Sequence, residues 1–283
     1  MIKSIEWNQK AEERTLTFWA SSIYAMNDPM EFRYGFELLM NSILPKVERE
    51  LGIKDQSLKL SSLWKTADPN MEKLEWYEKI TCTLFEAHKV PYIVSFSHKR
   101  DFLPMWNTYS CGGKGVCLCF NNWEYAVKGI NVDIQGRLHA SDVTYGKVDE
   151  SVYNVVYQKY KEQLVKCSSM EKEEQKRALL NLFITLAIAA SSYHKHTAYE
   201  YEEEVRLIIA KGEGDNVKHR ISRHGRLIPY VEVPVNLSYL SQVIVGPCAD
   251  SPSVVRELKY LFRQYKGNEK DFIVPSDVPY REV

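Results

Sequence analysis

The sequence predicts an α+β fold in a single domain, and three observations carry that expectation. Short β-prone runs and amphipathic helices are mixed along the chain without regular βαβ alternation. No Pro/Gly/Ser linker, repeat or low-complexity tract divides the 283 residues. With 45% hydrophobic residues the chain can build one core without staples. We therefore read residues 1–283 as one unit with a mixed, twisted sheet and helical insertions at about 36–90 and 150–195.

Thr15 to Ile23 (TLTFWASSI) is apolar and β-prone, and Asn27-Asp28-Pro29 closes it with a turn. Asn27, Asp28 and Glu31 are expected to order that turn beside the site rather than to do chemistry. A helix follows over Glu31–Met40, ended by Pro45. Asp68-Pro69-Asn70 caps a longer helix whose Leu74, Tyr77, Thr81, Leu84 and Phe85 share a face. Pro91 opens a strand, Tyr92–Ser97, in which Tyr92, Val94 and Phe96 point one way and Ile93, Ser95 and Ser97 the other. Val116–Phe120 is expected to be a strand of the same sheet, after a glycine-rich turn between strands. Ser151–Lys166 and Met170–Tyr193 read as paired helices, with Ser168 and Glu171 spaced as a capping box. Strands follow at Leu227–Val235 and Gln242–Val245. Asp250-Ser251-Pro252 then caps a helix striped by Val254, Leu258, Leu261 and Phe262, Gly267 suits its C-terminal cap, and Phe272–Val274 is a last short strand.

Lys+Arg and Asp+Glu both total 37, so the net charge is zero. That balance argues against a broadly basic nucleic-acid coat and leaves room for a local basic groove. The N-terminal residues are polar, and the longest apolar run, Leu182–Ala190, is about half a membrane span. The expectation is a cytoplasmic protein, off the membrane, whose six cysteines are reduced. Cys111, Cys117 and Cys119 lack paired metal-ligand spacing, and no structural metal or disulfide is expected. The Cys111–Gly115 turn lacks the ending of a P-loop, and no G-x-S-x-G elbow accompanies the serines. Gly246-Pro247, ahead of a helix start, offers a weak anion site.

The most informative stretch is Tyr199–Ala210, YEYEEEVRLIIA. A strand entered near Glu202 buries Val205, Leu207 and Ile209 and projects Glu202, Glu204 and Arg206 from the opposite face. Like charges two residues apart raise at least one carboxylate pKa, while the arginine holds the other ionised. The plain alternative is a solvated face with an ordinary salt bridge. Ser95 and Ser97 form a second constellation, suited either to a ligand or to local backbone groups, followed by Asp101, Trp106 and Tyr109.

In order and spacing, these segments resemble a bacterial domain-of-unknown-function family. The motifs are Asn27-Asp28-Pro29-Met30-Glu31, Ser95-Phe96-Ser97, Trp106 and Tyr109 before Gly115, Lys195-His196, Glu202-Glu203-Glu204-Val205-Arg206, Val243–Pro247 and Val278–Arg281. That family is in turn similar to a divergent branch of the ADP-ribosyltransferase superfamily. The resemblance implies that Ser95 and Ser97, with Glu202 and Glu204, bracket the nicotinamide riboside of NAD as co-substrate. It implies Glu204 as the residue stabilising the oxocarbenium-like charge, Glu202 as the one orienting or deprotonating the acceptor, and Trp106 or Tyr109 as a stacking ring; Arg206 joins the binding set. In that superfamily an aromatic, His- or Arg-containing strand precedes the first helix and binds NAD. Met1–Ile5 reads as lying just downstream of it, and neither Arg14 nor Arg33 sits in such a pattern.

The implied function is NAD-dependent mono-ADP-ribosylation of a nucleic acid or protein, as in the toxin of a toxin–antitoxin or antiphage system, with an antitoxin or chaperone as a further partner. The alternatives are an inactive protein-binding module of the same fold and an NAD glycohydrolase.

Overall fold

The computed structural model describes residues 15–26, 31–62, 79, 91–121, 138–146, 148, 150–210, 216–222, 225–266 and 271–280. The expected turn at 27–29, the helix after Asp68 and the Gly267 cap lie outside these residues, as do Arg14 and the side chain of Glu31.

A six-stranded sheet forms the frame. Its strands are β1 (Thr15–Ser22), β2 (Pro91–Ser97), β4 (Leu138–Asp142), β7 (Glu204–Ala210), β8 (Lys218–Ile221) and β9 (Leu227–Asn236), in the order β4-β7-β2-β1-β9-β8. Every pairing in it is antiparallel. A second sheet holds β3 (Val116–Phe120), β10 (Leu240–Val245) and β11 (Ile273–Pro275), with β10 antiparallel to β3 and parallel to β11. The expectation of α+β architecture holds, but the single mixed sheet containing Val116–Phe120 does not. Both edges of β2 and of β7 are already occupied in the large sheet, and β10 is the strand that pairs with β3. A third, minimal sheet pairs β5 (Thr144–Tyr145) with β6 (His194–Lys195) in parallel.

Six α-helices are present among the described residues: α1 (Glu31–Leu38), α2 (Leu44–Glu50), α3 (Leu103–Tyr109), α4 (Glu150–Cys167), α5 (Lys172–Tyr193) and α6 (Ser251–Lys266). Strand alternation sorts the core into two layers. Leu16, Phe18, Ala20, Tyr92, Val94, Leu207, Ile209, Val231 and Val233 pack with β10 and α6 on one side. Ile93 and Ile208 face the other way, against α1, α2, α4 and α5. On α5 the buried positions Leu179, Phe183, Leu186, Ala187 and Ala190 keep helical spacing, so one stripe supplies this second core.

Three local expectations are corrected. Pro45 does not end the first helix: a π-helical turn over Leu39–Ile43 joins α1 to α2, and Pro45 falls at the start of α2, where a missing N–H costs little. The capping box at Ser168 and Glu171 does not form, because the Ser168 hydroxyl donates to the Val165 carbonyl of the preceding helix and Glu171 makes no side-chain cap. The glycine turn follows a helix, not a strand: α3 ends in it, with Cys111, Gly112 and Gly113 all at positive φ.

Close packing brings α1 onto the C-terminal end of α5. A Cβ on Gly35 would lie 2.3 Å from the Ala190 carbonyl oxygen and 2.5 Å from the Ser191 Cα, both backbone atoms. Gly35→Ala is expected to destabilise the fold by about 1–3 kcal/mol, since the helices must separate to admit it. A lower midpoint of chemical denaturation at unchanged slope checks this.

Candidate functional site

Four ionisable side chains converge at the N-terminal end of β7 with almost no exposure: Glu202 2%, Glu204 4%, Lys195 4% and Arg206 0%. The strand begins two residues later than the sequence suggested. Glu202 closes a 3-10 helix over Thr197–Glu202, and Glu203 takes the left-handed conformation at φ 42°, so backbone geometry rather than strand alternation aims Glu202 inward. Glu203 turns outward, half exposed, and pairs with Lys99 at 3.0 Å. The solvated-face alternative for Glu202, Glu204 and Arg206 is thereby overturned.

Arg206 fixes Glu204. Its Nε donates to Oε1 at 2.9 Å and its Nη2 to Oε2 at 3.1 Å, a two-pronged contact suited to a planar guanidinium. Its Nη1 donates to the Ser192 carbonyl at 2.9 Å, at the end of α5, where carbonyls lack helical partners and a cation is favourable. Lys195 arrives by the pairing of β5 with β6, in which Tyr145 stands opposite it. Its Nζ donates to Glu202 Oε2 at 2.8 Å and to Glu204 Oε2 at 3.0 Å, and lies 4.6 Å from the centre of the Tyr199 ring. Tyr145 in turn accepts the backbone N–H of Glu204 on its hydroxyl at 2.8 Å.

Ser95 and Ser97 meet this cluster across the β2–β7 ladder, where Ser97 pairs with Glu204 and Ser95 with Arg206. The exposed Ser95 lies near enough to the Glu204 carboxylate to favour its charged form. The Ser97 hydroxyl instead donates to the Glu202 carbonyl at 2.6 Å and accepts Lys99 N–H, so it shapes the turn. Tyr109, on the last turn of α3, donates to Glu202 Oε1 at 2.8 Å. Trp106 is not with them: its ring is buried and its Nε1 donates to Asp101 Oδ1 at 2.7 Å. Asp101 also accepts from Ser276 Oγ and Asp277 N, which ties α3 to the C-terminal segment. Arg33, an early arginine, is spent on Glu37 at 2.7 Å. The Gly246 and Cys248 N–H groups, near the suggested anion site, are taken by the Gly115 and Gly113 carbonyls.

Burial pushes the Glu204 carboxyl above its ordinary value, against the opposing pull of Lys195 and Ser95. Burial opposes the Lys195 charge as well, but Glu204 and Glu202 outweigh it and hold the ammonium above the usual lysine range. Burial, then Glu202, raises the Tyr109 phenol, and burial raises that of Tyr145 to about 12. The Lys195, Tyr109 and Tyr145 shifts act on stability with one sign. The unfolded chain loses its tyrosine and lysine protons first, from about pH 10 upward, while the folded chain keeps them, so stability is lost as pH rises through that region. Wild-type protein is expected to show a melting temperature that falls steeply above about pH 10, and Lys195→Met a shallower alkaline fall from a lower start.

Sequence reasoning missed Lys195 and Tyr145 as members of the site. Lys195 carried a signal, a lone cation directly behind an apolar helix and seven residues before Glu202. Tyr145 carried none, since its two-residue strand is too short to show periodicity.

The sheet forks beside the site. β1 and β2 share a ladder only at Ser21–Ile93 and Ser22–Tyr92; beyond that, β1 follows β9 and β2 follows β7. Phe18, Phe96 and Phe120 fill the core side of the fork with edge-to-face contacts at 5.6–6.3 Å. Ser95 stands exposed on the other face.

Residues 105–207 match the model of a family described as protein of unknown function (DUF2971). The matched stretch includes Tyr109, Lys195, Glu202, Glu204 and Arg206, and stops short of Ser95 and Ser97. No curated protein matches the chain, and no solved structure does. Among the described residues, no helix is long and apolar enough to cross a membrane, and no group of three or more His, Cys, Asp or Glu side chains is placed to hold a metal ion. Cys117 and Cys119 lie with their sulfurs 3.9 Å apart, both as free thiols.

Proposed function

We propose that this cluster is the reaction centre of an NAD-dependent mono-ADP-ribosyltransferase acting on a macromolecular acceptor, nucleic acid or protein. One observation carries the reading: the Glu204 carboxylate, fixed by Arg206 and Lys195, lies beside the exposed Ser95 at the mouth of a forked sheet. Cleavage of the nicotinamide–ribose bond builds positive charge on the ribose. A carboxylate already fixed by Arg206 stabilises that charge without reorganising, which is where such a group contributes most. A ribose hydroxyl reaches Glu204 past the exposed Ser95 hydroxyl beside it. Glu202, held by Tyr109 and Lys195, stands beside it to orient or deprotonate the acceptor. With water as acceptor, the same site is an NAD glycohydrolase. The proposal extends to a role as the toxin of a cytoplasmic toxin–antitoxin or antiphage pair, with an antitoxin or chaperone as protein partner.

A specific observation favours a second reading, a binding module without chemistry: both carboxylates are nearly enclosed and engaged by cations. Incubating the purified chain with labelled NAD and cell lysate separates the two. The first reading expects label on a macromolecule that nuclease or protease digestion then classifies. Absence of both label transfer and NAD consumption leaves the second.

A further inference from the structure

We propose that Lys195 is the positioning residue of this cluster, the group that bridges two adjacent buried carboxylates and keeps Glu204 ionised; its catalytic consequence rests on the reading just given. The geometry is particular. One ammonium, 4% exposed, donates to Oε2 of both glutamates, at 2.8 and 3.0 Å. Arg206 reaches Glu204, and Tyr109 reaches Glu202 as a neutral donor. Among the described contacts, Lys195 is thus the cation that reaches both.

The charge arithmetic gives it its role. Glu202, Glu204, Lys195 and Arg206 sum to zero when all four are charged. Without Lys195, two carboxylates share one guanidinium in a low-dielectric site. Like charges held that close cannot both stay ionised near neutral pH, so one takes a proton. Among the described contacts of the cluster, the other titratable partners are phenols, Tyr109 from α3, Tyr145 from β5 and Tyr199 from the 3-10 helix, and none of these supplies a positive charge. Lys195 also owes its place to the fold: β6 is two residues long, pinned by Tyr145 and by Gly146 N–H on the Lys195 carbonyl. The lysine is positioned by backbone pairing, not by its own flexible stem.

The expectation for the reaction follows. A glutamate that holds a proton can neither stabilise a developing cation nor accept the acceptor's proton. Lys195→Met should therefore move the acid limb of the pH–rate profile upward, and Lys195→Arg should largely restore it.

Carbon-13 NMR titration of the glutamate side chains tests the role without relying on turnover. It compares the wild-type chain with Lys195→Met, Lys195→Arg and the charge-balanced Lys195→Met/Glu202→Gln. Lys195→Met should raise the Glu204 midpoint by about one unit or more. Lys195→Arg and the double variant should stay near wild type, because each leaves cations and carboxylates balanced. An unchanged midpoint in Lys195→Met overturns the proposal. So does a double variant as shifted, or as unstable, as the single one, which would mean that packing rather than charge is at issue. A Lys195→Met chain that fails to fold while the double variant folds supports it. If wild type consumes no NAD while the midpoint shifts as expected, the transferase reading fails and the positioning role stands.

Discussion

Arg206→Met is expected to destabilise the fold by about 3–5 kcal/mol, the largest stability effect of any single substitution in the site. Arg206 is fully buried and donates two hydrogen bonds to the Glu204 carboxylate and one to the Ser192 carbonyl. Methionine fills much of the volume but leaves a buried carboxylate without its two guanidinium bonds and the Ser192 carbonyl without that donor. Arg206→Lys should recover only part of the loss, because an ammonium cannot bridge both carboxylate oxygens in plane and reach Ser192 as well. Urea denaturation of the three proteins checks the order, wild type above Arg206→Lys above Arg206→Met. A Met variant within about 0.5 kcal/mol of wild type, the range of an ordinary surface change, would mean that the cluster contributes little to the fold.

Glu204→Gln is expected to lower NAD cleavage by a hundredfold or more, on the order of 3 kcal/mol of transition-state stabilisation. In the proposed reaction, removing the charge withdraws the anion that faces the developing ribose cation. The substitution also carries a structural cost that strand alternation alone does not reveal. Glu204 accepts from Arg206 Nε and Nη2 and from Lys195. A glutamine amide turns one acceptor into a donor, which then faces one of those donors. Rates for this variant must therefore be referred to folded protein. Glu203→Gln is the matched control, since Glu203 lies at the surface against Lys99.

The part of this site legible in the sequence is the part set by period-two alternation. Ser95 and Ser97 on one strand, and core-facing Val205, Leu207 and Ile209 on another, follow from side chains alternating across a pleat. Glu202 was placed beside Glu204 by the same rule, and there the rule led to a correct neighbourhood by the wrong route. A 3-10 turn and one left-handed residue do the work, and nothing in Glu203 announces positive φ. Partitioning into sheets was illegible for a different reason. Whether Val116–Phe120 joins one sheet or another depends on which strand edges remain open, a property of the assembled fold rather than of VCLCF itself. Pro45 misled because a π turn supplies a second helix start just where a break was expected. The resemblance implies Trp106 or Tyr109 as a stacking ring, yet only Tyr109 reaches the cluster: the Trp106 ring is buried and its Nε1 is engaged by Asp101.

The most direct measurement of the central claim, that this buried cluster is a reaction centre for NAD, is nicotinamide release from NAD by wild type, Glu204→Gln and Glu203→Gln. Each protein is first shown to be folded by near-ultraviolet circular dichroism. The account predicts measurable release by wild type and Glu203→Gln, and at least a hundredfold less by Glu204→Gln per folded molecule. Equal rates in all three, or no release by folded wild type with lysate acceptors present, would contradict it.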